Sequence, residues 1–219
     1  MSSSIPRLVR DNSMSILFGL LFLTTLVGQA VTGYQQANQQ LAAHGRAALS
    51  VGGWLTSGGF LNAIAVNWQA AILQLATLVL AGAVLYQRGA SHSRDPDKDE
   101  NESAEDKRRE RDDERQFSWV RRHSLSLALF ACFVLAFTAH LFVGVAAYNE
   151  QRSLSGQAPL TPEAYAASAQ FWFENFQTWE AEFAVILLFV VLTIFLREER
   201  SAESKPLGAS EATTGETNH

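Results

Sequence analysis

The sequence has little sulfur and little scope for thiol chemistry. It carries one cysteine, Cys132, and two methionines among 219 residues. A lone cysteine closes no intramolecular disulfide, which excludes the paired-thiol chemistry of quinone-linked oxidoreductases built on small helical bundles. Cys132 stands inside an apolar run and reads as a small buried hydrophobe. Charge is missing from two long stretches. No Asp, Glu, Lys or Arg occurs from Met14 to Ala43, and none from Ala47 to Gln87. No Walker loop, zinc spacing, nucleophile elbow or dinucleotide fingerprint occurs. His140 is the only histidine inside an apolar run, whereas haem held by two histidines within a bilayer needs a second. These absences argue against an enzyme and against a bound cofactor. The net charge of -5 implies no nucleic-acid partner, because the basic residues are mixed with acids in one short segment.

What the chain does have is one unit written twice. Residues 12–90 align with residues 123–201 at a constant offset and without a gap. Ser13 falls on Ser124, Gly33 on Gly144, Asn38 on Asn149, Gly45 on Gly156, Phe60 on Phe171 and Trp68 on Trp179. Each copy reads as an apolar run, a polar loop, an aromatic stretch and a second apolar run. Roughly 20 apolar residues suffice for a helix to cross the hydrocarbon core. The expectation is an all-α integral membrane protein whose four spans form two tandem hairpins with outer interfacial helices. The spans are expected at about 14–34 and 68–87 in the first repeat (1–90), and at about 124–147 and 178–197 in the second (123–201). Arg7, Arg10 and the small residues Gly28, Gln29 and Ala30 also fit a secretory signal. The run continues past Ala30, and its second copy lies too deep in the chain to be a signal, so the run reads as a retained span.

Lys and Arg residues near the spans set the orientation. They collect before the first span, between the second and third, and after the fourth. The other two loops hold only Arg46 and Arg152. Both termini and the linker are therefore expected on the cytoplasmic side of a plasma (inner) membrane. The linker, 91–122, is a run of mixed charge. Its early part, around Pro96, reads as disordered, and from Ser103 onward it has the spacing of a solvated helix. The tail, 202–219, is small and polar and reads as disordered. Thr161, Pro162 and Glu163 form a helix-start signal in the second outer loop.

Two sets of residues are candidates for a role. The interfacial aromatics are Trp54, Phe60, Trp68, Phe171, Trp172, Phe176 and Trp179, which suit the headgroup plane or, alternatively, the walls of a cleft for an apolar ligand. The polar set is Gln29, Gln69, His140, Glu180 and Glu182. Gln29 occupies the position of His140, and Gln69 that of Glu180. His140 stands about 16 residues into its span, at a depth matching Glu180 and Glu182 at about 1.5 Å per residue. A polar contact of His140 with Glu180 or Glu182 is expected, and a weaker neutral one of Gln29 with Gln69. Such groups either mark a pathway or fix packing between helices.

The segments NSMSILFGLLFLTTLVGQAVTGY, WLTSGGFLNAIAVNWQ and FWFENFQTWEAEFAVILLFVVLTIFLRE resemble a bacterial integral membrane protein family of unknown function, the domain of unknown function 6766 type. The most specific element is Thr178-Trp179-Glu180-Ala181-Glu182-Phe183; the first copy departs from it with Asn67-Trp68-Gln69-Ala70-Ala71-Ile72. The resemblance implies membrane residence and a helical fold, and no activity. The sequence points to a non-enzymatic structural or interaction module of the cell envelope. Its partners are expected to be the bilayer and a membrane protein or a second copy. The alternatives are a small transporter or channel for a proton, cation or apolar solute, and, more weakly, a membrane enzyme acting on lipid.

Overall fold

A computed structural model describes residues 7–94 and 103–215. Among these residues it is all-helical, with no strand. The helices are α1 (Arg7–Asp11), α2 (Ser13–Ala43), α3 (Val51–Leu55), α4 (Gly58–Val84), α5 (Ala104–Gln116), α6 (Trp119–Arg122), α7 (Ser124–Leu154), α8 (Pro162–Ala166) and α9 (Ala169–Phe195). By length and composition, four helical stretches could cross a membrane: α2, α4 together with α3, α7 and α9.

The long helices exceed the spans expected from hydropathy. α2 runs to Ala43 because the polar stretch after Tyr34 is rich in Gln, Ala and Leu and has no Gly or Pro to stop it. α4 and α9 begin at Gly58 and Ala169, well before the expected 68 and 178. Most of the aromatic stretch thus forms the opening turns of each long helix rather than a separate helix. Serines initiate both: Ser57 Oγ accepts from the Phe60 N–H, and Ser168 Oγ from the Phe171 N–H. The short helices α3 and α8 are capped likewise by Ser50 and by Thr161, with Pro162 in the first turn as the helix-start signal implies.

The chain forms two compact units. The first comprises Met1–Ala63 and Val143–Leu160. Here α2 ends at His44 and Gly45, the latter at φ 65°. The Arg46 N–H donates to the Leu41 carbonyl and the Gly45 N–H to that of Ala42, a Schellman ending that needs a residue free to adopt the left-handed region. α7 ends in the same pattern at Gly156, φ 68°. Asn38 Oδ1 accepts from the Leu49 N–H at 2.7 Å, and Asn149 Oδ1 from the Leu160 N–H at 2.8 Å. A Cβ on Gly58 would lie 2.5 Å from the Ala147 backbone nitrogen, so glycine permits this approach of α4 to α7. The Gly58 N–H donates to Glu150 Oε1 at 3.1 Å.

The second unit comprises Ile64–Phe142 and Thr161–His219. Its largest fully buried side chains are Tyr165, His140, Gln69 and Asn175. Its α5 follows the helical charge spacing of the linker, with an Arg109–Glu105 pair at 2.9 Å. The stretch around Pro96 lies outside the described residues. The tail, expected to be disordered, forms turns as far as it is described. Lys205 is 3% exposed and donates to the carbonyls of Ser210, Glu211 and Thr213. Cys132 is exposed on α7, not buried, because among the described residues nothing covers its side chain.

Candidate functional site

The second unit buries a polar cluster whose hub is Glu174 on α9. Tyr165, on α8, donates its hydroxyl to Glu174 Oε2 at 2.9 Å. Gln170, one turn before Glu174, donates Nε2 to Oε1 at 2.7 Å. His140 Nε2, on α7, lies 3.1 Å from Oε2. Tyr165 and His140 thus converge on one carboxylate oxygen and Gln170 on the other. The His140 Nδ1 is buried and, among the described residues, has no hydrogen-bond partner. The imidazole stacks on Phe171 at 5.2 Å, with 26° between the ring planes, and Phe171 meets Tyr165 edge-on at 5.4 Å.

A second, neutral group adjoins it. Gln69, on α4, donates Nε2 to Asn175 Oδ1 at 3.2 Å and accepts from the Trp179 indole N–H at 2.9 Å. Asn175 donates back to the Phe171 carbonyl one turn earlier. One face of α9, carrying Gln170, Phe171, Glu174, Asn175 and Trp179, thus engages α4, α7 and α8. Burial explains why the amides and the hydroxyl are bonded, with His140 Nδ1 the exception. A side-chain amide or hydroxyl left without a partner costs about 1–3 kcal/mol, and Gln69, His140, Tyr165 and Asn175 are all fully buried.

This arrangement corrects the expected pairings. The acid that meets His140 is Glu174, not Glu180 or Glu182. Six residues beyond Glu174, Glu180 has turned about 120° around the helix; Glu182 lies about 12 Å further along it. Glu180 is exposed and Glu182 half-buried, and among the described residues neither forms a hydrogen bond or ion pair. The register differed because α9 begins at Ala169, which brings its opening turns, not the segment after Thr178, level with His140. Gln69 bonds to Asn175 and Trp179; Gln29 is half-buried and, among the described residues, forms no hydrogen bond.

The aromatic set divides. Phe60 and Phe171 are buried, Trp54 and Trp179 half-buried, and Trp68, Trp172 and Phe176 exposed. Trp54 donates its indole N–H to the Ala30 carbonyl at 2.9 Å, over Gly33, where a Cβ would come 2.5 Å from the ring. Sequence reasoning missed Glu174, Tyr165, Gln170 and Asn175. The available signal was the spacing Gln170–Glu174 and Phe171–Asn175–Trp179, which places amides and an acid on the face that also carries a buried aromatic.

The cluster can accept, donate and hold a proton between an imidazole and a carboxylate. Among the described residues no three His, Cys, Asp or Glu side chains converge as a metal-ligand set. A family model described as a domain of unknown function, DUF6766, matches residues 5–216. No curated protein and no solved structure matches the chain.

Proposed function

The chain belongs to the DUF6766 family, and we propose that it is a non-enzymatic, multi-pass membrane module whose buried polar cluster fixes the packing of its helices. The observation that carries this is the internal bonding of the cluster. The Glu174 carboxylate is taken up by Tyr165, Gln170 and His140, and the Gln69 amide by Asn175 and Trp179. A site for a substrate presents polar groups to a cavity; here they face one another. The membrane reading is supported by four long apolar helices with large exposed side chains such as Leu135, Leu187 and Phe130. Lipid is the solvent that such a surface suits, and Cys132 lies on it.

The duplicated-hairpin reading has support of its own. The helices Ser13–Ala43 and Ser124–Leu154 are both 31 residues long, Val51–Leu55 and Pro162–Ala166 both 5, and Gly58–Val84 and Ala169–Phe195 both 27. Their bounds match at the sequence offset, as do the glycine endings and the Asn38 and Asn149 contacts. Under this reading α3 and α8 lie on the outer side, and the termini and linker face the cytoplasm of a bacterial cell. The partners are the bilayer and a membrane protein or a second copy.

Reconstitution into proteoliposomes tests the role. The purified protein is expected to pass protons, monovalent cations and small apolar solutes no faster than empty vesicles, and to copurify from native membranes with a stoichiometric membrane partner or with itself. Labelling of a cysteine placed at Ser103 from outside intact cells would contradict the orientation. A proton or cation transporter is the second reading. It is favoured by the buried His140–Glu174 contact with an unpartnered Nδ1, since ionisable groups inside spans often line a pathway.

A further inference from the structure

A groove of about 270 Å³ runs between the later turns of α4 and α9. Leu78, Ala81 and Gly82 wall it on α4, Leu85 just beyond the end of that helix, and Phe183, Ile186 and Val190 on α9. The spacings repeat at three and four residues, so each helix presents one apolar face. Gly82 leaves the floor open, because a Cβ there would meet nothing within 4 Å. The groove is smaller than the roughly 300–1,000 Å³ of pockets for drug-sized molecules, and its shape suits a narrow chain. Its mouth is polar. Gln87, His92 and Ser93, just beyond the end of α4, line it.

A cation stands next to the mouth, one residue beyond Ser93. Arg94 donates Nη1 to the Ala83 carbonyl at 3.3 Å, which places its guanidinium beside the last turn of α4. Among the described residues only one of its donors has an acceptor, and a planar guanidinium fork matches phosphate oxygens. Arg197 is differently employed. Its Nη1 holds the carbonyls of Thr193, Ile194 and Leu196, and its Nη2 those of Ala209 and Ser210. His92 is engaged by Glu203 and Ser91. Among the described residues that line or adjoin the mouth, Arg94 is therefore the cation placed to meet an incoming anion.

We infer that this groove binds one anionic phospholipid, with an acyl chain along Leu78, Gly82, Ile186 and Val190 and its phosphate on Arg94. The inference rests on the reading of α4 and α9 as membrane spans. Two observations on separate parts of the site carry it. The apolar walls fit a hydrocarbon chain, and the cation stands at the end where the positive-inside pattern places the inner headgroups. Basic pockets between spans at that surface suit anionic headgroups.

The test uses the full chain purified in mild detergent. It is titrated with phosphatidylglycerol and, separately, with phosphatidylcholine, and bound lipid is counted by native mass spectrometry. The wild type is expected to hold one phosphatidylglycerol about fivefold more tightly than phosphatidylcholine, the share of one basic contact. Gly82→Phe fills the groove and should lose tight binding of both lipids. Arg94→Gln should keep a bound lipid and lose the preference. Val185→Phe, at an exposed position outside the groove lining, should change neither. Equal affinity of the wild type for the two lipids, or unaltered binding by Gly82→Phe, would overturn the site. If Gly82→Phe is not recovered folded, Arg94→Gln decides alone, and a retained preference overturns the assignment. Release of the wild type from membranes by alkaline carbonate would instead defeat the membrane reading, and the lipid site with it.

Discussion

In α3, Trp54 reaches back to α2; in α8, Tyr165 reaches forward to α9. The two residues occupy matching positions in the two halves of the sequence, and both anchor a five-residue helix with a single polar hydrogen. The acceptors differ because the residues around them differ. Glu174 in the second half corresponds to Ala63 in the first, and His140 to Gln29. Without a carboxylate ahead of it, the Trp54 indole takes the backbone carbonyl of Ala30, and Gly33 makes room for the ring. With Glu174 in place, Tyr165 joins a side-chain network that also engages α7. The same local fold thus tolerates either a backbone contact or a polar hub. The polar hub stakes more on one residue, since Glu174 serves three donors at once.

Removing that hub should break the comparison most strongly. Glu174→Leu strands the Tyr165 hydroxyl and the His140 Nε2 in a buried setting. It is expected to cost about 3 kcal/mol in thermal unfolding in detergent, the upper end for a stranded buried group. The counterpart in the first half is Gly33→Val. Its side chain would displace the Trp54 ring and its hydrogen bond, with an expected cost of about 2 kcal/mol by overpacking. A blue or red shift of the Trp54 emission, read in a variant lacking the other tryptophans, would report the displacement.

His140 should matter less than the acid it touches. In His140→Leu, Glu174 retains Tyr165 and Gln170, so the loss is that of one inter-helix hydrogen bond, about 0.6 kcal/mol and at most about 1.7. His140→Gln, which installs the residue of the first half, should be nearly neutral. A large loss for His140→Gln alone would show that the imidazole does something the amide cannot, and would favour the transport reading.

The smallest effect lies on α8 itself. The Glu163 carboxyl is held below its ordinary value of 4.5, first by its own backbone N–H and then by the Thr161 hydroxyl. A lowered folded-state value means that the contribution is fully present above the unfolded value and disappears as pH falls through the folded one. Glu163→Gln should therefore lower stability slightly at neutral pH, with the difference from wild type closing under acid. A difference that grew on acidification would contradict the cap geometry.

The sequence made the helical class, the four apolar helices and the Thr161–Pro162 start legible, because hydropathy and capping are local properties. It misplaced the register. Gln36 to Ala43 read as loop and Phe171 to Gln177 as an interfacial segment, yet both belong to the long helices, because neither stretch holds a Gly or Pro to stop a helix. That shift of about two and a half turns at the start of α9 is why the sequence pairs His140 with Glu180 or Glu182 and not with Glu174. Gln69 was identified, but not its partners. Asn175 and Trp179 are 106 and 110 residues away, and no periodicity encodes a contact of that separation. Tyr165 escaped because nothing local to a tyrosine in a five-residue helix shows that the helix folds onto α9.

The central claim is that Glu174 pins α8 by bonding to Tyr165, and a double-mutant cycle tests it most directly. Tyr165→Phe, Glu174→Gln and the double variant are compared with wild type in reversible unfolding in micelles. The account predicts a coupling of about 1 kcal/mol between the two positions, within the range for residues in direct contact. Additive losses, with no coupling beyond measurement error, would show that Tyr165 and Glu174 do not act on each other and would contradict it.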